Sequence, residues 1–97
     1  MLTEYEVRQS VADISVSGAR PNRKVRLLLT LARCLKRQAR TLLHARALSA
    51  QAEDCNTAAH MDRMLRSLRS QYEEVRLAAD RMRCESESAE ERDLALV

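Results

Sequence analysis

The chain has almost nothing from which to build strands, turns or aromatic clusters. Its 97 residues contain no Trp or Phe, two Tyr, one Gly and one Pro. So few strand and turn formers exclude a sandwich, a barrel or a doubly wound sheet, and leave long helices with few connections. With one glycine the chain cannot form phosphate-cradling loops, and no Walker, GxGxxG, HExxH or GxSxG motif is present. Apolar stretches such as Leu27–Leu29 are far too short to span a bilayer. Glu4, Glu6 and Arg8 interrupt the place where a secretory apolar region would follow Met1. A cytoplasmic protein without a transmembrane segment is expected.

Metal and nucleophile chemistry is equally sparse. Cys34, Cys55 and Cys84 are odd in number and widely spaced, without CxxC or Cys/His ligand spacing. They read as reduced thiols. His44 and His60 have no nucleophile or carboxylate at helical spacing, apart from Asp62 and Arg63 beside His60. Cys55 and His60, five residues apart, do not have a helical ligand spacing. Glu73 and Glu74 point to different sides of a helix. No catalytic, cofactor or metal site is expected, and the protein is read as a non-enzyme.

One further absence is positional. From Ile14 to Ala52 there is no acidic residue, while Arg20, Arg23, Lys24, Arg26, Arg33, Lys36, Arg37, Arg40 and Arg46 are all present. From Glu53 onward acids outnumber bases, eleven to seven. The net charge of +3 hides this segregation.

What the chain does have is apolar periodicity. From Ala58, apolar residues recur in steps of three and four at Met61, Leu65, Leu68, Tyr72, Val75, Ala79 and Met82. Such a heptad stripe is stable in water only against another helix. Upstream, Val25, Leu28, Leu31, Ala32, Leu35, Ala39, Leu42 and Leu43 fall within one helical face, widened by Leu27 and Cys34. At Arg46 and Ser49 that register fails, and a shifted line through Ala45, Leu48 and Ala52 is expected to replace it. Residues 2–16 suggest a short helix. Gly18 permits a left-handed cap, Pro21 disfavours helix at Arg20, and Asn22 fits as the next N-cap.

The expected fold is therefore all-α: a coiled-coil-like antiparallel helical hairpin with a short N-terminal helix, three helices in all. One domain spans 1–84, with helices at about 2–16, 23–52 and 58–84. Asp54, Asn56 and Thr57 are competent caps, so residues 53–57 are read as a turn. The rival is one unbroken helix, ~90 Å long, that could bury its seam only in a dimer. The acidic, serine-rich segment 85–97 is expected to be a flexible tail. Its apolar end, Leu94–Val97, is weak ground for a docking or degradation signal.

Function is sought on the helix faces. Arg69, Arg76 and Arg83 occupy the same heptad position beside the seam, where coiled coils choose partners by charge. Met61, Met64 and Tyr72 lie on or near the seam, and methionine adapts to varied helices. These six are the expected partner-binding residues. Arg26, Arg33, Lys36, Arg37 and Arg40 form a cationic strip opposite the leucines. The sequence therefore points to an adaptor, assembly factor or small chaperone. It would bind another protein, helical and partly acidic, or a second copy of the chain in a homodimer. Nonspecific nucleic-acid binding through the basic face of residues 20–46 ranks second, because the region lacks aromatics for base stacking.

Overall fold

The computed structural model of the chain describes residues 3–95, which form three α-helices and no strand: α1 (Glu4–Val16), α2 (Pro21–Gln51) and α3 (Cys55–Ala95). α2 and α3 form the expected antiparallel hairpin rather than one unbroken helix. α1 lies along it.

α1 begins where Thr3 accepts a hydrogen bond from the Glu6 amide at 3.1 Å. Glu4 and Glu6 in its first turn complement the positive end of the helix dipole. It stops at Ser17, whose backbone is extended. Gly18 does not adopt the left-handed conformation expected of it. The chain leaves α1 through extended backbone instead, and Lys24 Nζ donates to the Ser15 carbonyl at 3.0 Å. A cation from the next helix thus satisfies one of the carbonyls that a helix end leaves open.

α2 starts two residues earlier than the sequence suggests. Arg20, not Asn22, is its N-cap, and Pro21 occupies the first turn. Proline is well suited there because its missing N–H would have no helical partner and its φ is already helical. Leu28, Ala32, Leu35 and Leu42 of α2 are buried against Leu68, Val75 and Ala79 of α3. Met61, Leu65, Tyr72 and Met82 pack at the margin, so the heptad seam meets the α2 face as its period requires.

The turn is a Schellman motif closed by a non-glycine residue. The Asp54 amide donates to the Ser49 carbonyl at 2.9 Å and the Glu53 amide to the Ala50 carbonyl at 3.1 Å. Glu53 sits at φ 60°, the left-handed conformation that ordinarily favours glycine. Asp54 then caps α3, accepting from the Thr57 amide at 3.2 Å and the Thr57 hydroxyl at 2.6 Å. These bonds stabilise the ionised carboxylate and hold its pKa below the ordinary 3.8.

The α2 register does not shift near the turn. Leu48 and Ala52 are exposed, whereas Arg46 and Ser49 stay on the inner line. The Arg46 guanidinium pairs with Asp62, and the Ser49 hydroxyl lies 3.9 Å from the Met61 sulfur. Polar pairing lets the helices continue face to face where leucines run out.

At the other end α3 extends well past the expected stop at Cys84. Its backbone is helical to Ala95, and with 41 residues against 31 it reaches beyond the level of Pro21. Glu, Ala and Arg have high helix propensity, which offsets the serines there. Of the apolar end Leu94–Val97, the last two residues lie outside those described.

Candidate helix-binding groove

Two packed helices leave two long grooves between them, one on each side. α1 fills part of one. Its Val7 is buried, Val11 and Ile14 pack against the hairpin core, and Arg8 Nε approaches Glu74 Oε2 at 4.0 Å. The helical period places Glu74, Gln71 and Ala78 on this flank of α3, and Tyr72, Leu65, Arg69 and Arg76 on the other. Gln71 is only 4% exposed; its amide nitrogen donates to the Ser67 hydroxyl at 3.0 Å, and its carbonyl oxygen has no partner among the described residues.

The second groove is open. Its widest part is a depression of about 490 Å³ whose floor is Leu35, Ala39, Leu65, Leu68 and Tyr72, with Leu43 at the rim and Lys36 and Arg69 as walls. A neighbouring depression of about 240 Å³ shares Tyr72 and Lys36 and adds Leu29, Ala32, Arg33 and Arg76. A third, lined by α3 alone, lies over Tyr72, Glu73, Arg76, Leu77 and Asp80 on the outer side of that helix. Because Lys36 of α2 and Tyr72 of α3 border both of the first two, these form one trough, and the third lies beside it on α3. Leu35 and Leu68 close its base, whereas Leu43 is 54% exposed.

Charge lines both sides of this trough. Arg33 and Lys36 stand along α2, and Arg69 and Arg76 along α3. Arg69 Nε lies 3.5 Å from Glu73 Oε1 of its own helix. Among the described residues, Arg33, Lys36 and Arg76 make no ion pair. Behind the α2 wall, Arg33, Lys36, Arg37 and Arg40 surround a shallow hollow of about 300 Å³. Arg26 lies farther toward the start of α2, beside Arg20 and Arg23. Among the described residues, the one ion pair that joins α2 to α3 is between Arg46, at the turn, and Asp62.

The structure thus brings together Tyr72, Arg69 and Arg76 from the expected partner-binding set, and Arg33 and Lys36 from the basic strip. Arg83 lies exposed one heptad beyond Arg76. Met61 and Met64 pack against the buried core without lining the trough. Leu43, like Leu48, is more exposed than its spacing suggests. Its period puts it in the α2 apolar face, yet it stands at the edge of that face with nothing over it. Glu4 and Glu6 sit on α1, at the opposite groove, where Glu4 pairs with Arg8 at 2.8 Å.

Chemically, the trough offers apolar area and guanidinium donors. No group of three or more His, Cys, Asp or Glu able to hold a metal occurs among the described residues. Cys34, Cys55 and Cys84 are free and exposed. No helix of the described residues is long and apolar enough to cross a membrane. No protein-family model matches the chain, and comparison with curated proteins and with solved structures likewise returns no match.

Proposed function

We propose that the protein is a non-enzymatic interaction module that takes one amphipathic helix of another polypeptide into the trough between α2 and α3, as an adaptor, assembly factor or small chaperone. The supporting observation is the asymmetry of the hairpin: one groove carries α1, and the other is apolar, open and walled by cations. An incoming helix would complete a four-helix arrangement. Burying one leucine-sized side chain contributes about 1.5–3 kcal/mol, against ~0–1 kcal/mol for an exposed ion pair. Affinity therefore comes from the floor and choice of partner from the walls. A second copy docked through the same trough would set the Lys36 and Arg69 walls against their own like charges. That disfavours a homodimer by this face.

The competing reading is phosphate tracking by Arg33, Lys36, Arg37 and Arg40, which crowd one hollow without ion pairs among the described residues. A photo-crosslinker at position 43, in the trough, and another at position 8, on the α1 side, separate the two in cell extract. A discrete protein adduct from position 43 alone, resistant to nuclease and to moderate salt, is the expected result. Equal adducts from both positions would refute the trough. Recovery of nucleic acid alone, lost steeply as salt rises, would establish the phosphate reading.

A further inference from the structure

Arginines on the trough walls and in line with them along both helices are arranged in register. Arg33 of α2 and Arg76 of α3 line the same depression and so lie at the same level of the hairpin. The two helices are antiparallel, so seven residues forward from Arg33 and seven back from Arg76 reach the next level, at Arg40 and Arg69. The same step in the other direction pairs Arg26 with Arg83. Seven residues of α-helix rise about 10.5 Å, so the arginine pairs form rungs at that interval, and Lys36 falls between the first two.

Resting on the function proposed above, we infer that the helix held by the trough is itself heptad-patterned, with carboxylates at both edges of its apolar stripe and one acidic pair for each rung. In a heptad these edges are the e and g positions, whose residues recur every ~10.5 Å along the axis. Only a helix with that repeat meets successive rungs on both walls while its apolar stripe covers Leu35 and Leu68. A nucleic-acid strand carries a phosphate for every ~3.4 Å of axis and has no apolar stripe for the floor. Glu73, held to Arg69, and Asp80 line the depression on the outer side of α3 beside Tyr72. Neither stands on the α2 wall, so the rungs keep net positive charge.

The test uses the full chain and three synthetic helical peptides, the first two of equal composition, each three heptads long with Leu at a and d. The first carries Glu at e and g, the second carries the same Glu at b, c and f, and the third has Lys at e and g. Fluorescence anisotropy should show the first binding roughly ten- to thirtyfold tighter than the second, with the third weakest and the preference shrinking as salt rises. The double substitution Arg33→Glu with Arg76→Glu should weaken the first peptide. A version with Lys at that rung should recover the loss, and such recovery also shows that the variant is folded. Equal binding of the first two peptides would overturn the register while leaving the helix-binding function intact. Binding by none of the peptides would overturn both, and binding of a single-stranded oligonucleotide in their place would transfer the site to phosphates.

Discussion

Replacing Glu53 by glycine should make this protein more stable, although it removes a side chain. Glu53 holds the left-handed conformation at φ 60° that the Schellman turn requires. For a residue with a Cβ that conformation costs about 1–2 kcal/mol, through the clash with the following carbonyl oxygen. Glycine avoids this cost but loses more chain entropy on folding, about 0.5–1 kcal/mol. The net expectation is a gain of about 0.5–1 kcal/mol, which in a domain of this size raises Tm by about 2–8 °C. Glu53→Ala is the control, because alanine keeps the Cβ and should leave stability near that of the parent. Thermal and urea unfolding followed by far-UV circular dichroism would measure both variants, with the urea slope unchanged because the folded surface is the same. If glycine confers no gain, or alanine confers as much, the turn is not strained at this residue.

Leu35→Ala removes a side chain that closes the base of the trough and should cost about 2–5 kcal/mol, read as a large fall in the urea midpoint. A fall of less than ~1 kcal/mol would show that the hairpin core is not packed as described. Gln71→Met should be neutral or stabilising by up to ~2 kcal/mol, since it replaces a buried amide whose oxygen has no partner among the described residues; a clear loss in thermal melts would show that this oxygen is satisfied. Asp54→Ala should lower Tm at neutral pH. Because the folded carboxyl has the depressed pKa, its contribution is present above 3.8 and is lost as the folded group takes up its proton. The Tm gap between parent and variant should therefore close as pH falls below that value, and a gap independent of pH would refute the cap.

The hairpin was legible because its cause is periodic. Leucines at helical spacing in α2 and the heptad stripe through Leu68 and Val75 can be buried together in few ways, and the structure buries them against each other. The turn was legible in place but not in mechanism. Asp54, Asn56 and Thr57 are all good caps by composition, and the choice of Asp54, with Thr57 as its donor, depends on the backbone path set at Glu53. The trough was half legible. Arg69, Arg76, Arg33 and Lys36 each stand out by charge and spacing, but whether the groove they wall stays open depends on which groove α1 occupies. The weak pattern of α1 does not encode that choice. Leu43 shows the same gap: a helical wheel locates it at the edge of a face but cannot say whether a third helix covers that edge. The extension of α3 past Cys84 is not legible in composition, because a polar segment that brings no core reads as a flexible tail although its helix propensity is high.

The turn at Glu53 also bears on the order of assembly. Near it, the pairs that join α2 to α3 are close in sequence: Ser49 meets Met61 across 12 positions and Arg46 meets Asp62 across 16. At the far end, Leu28 and Ala79 share a core only after roughly fifty intervening residues have been brought into line, and closing a loop becomes costlier with its length. The hairpin is thus expected to zip from the turn outward, with α1 docking after α2 and α3 have met along its groove. Changes at Arg46 or Asp62 should then slow folding, whereas changes at Leu28 or Ala79 should mainly hasten unfolding. The strained glutamate lies where the zipper starts, so it sets how fast the hairpin forms as well as how stable it becomes.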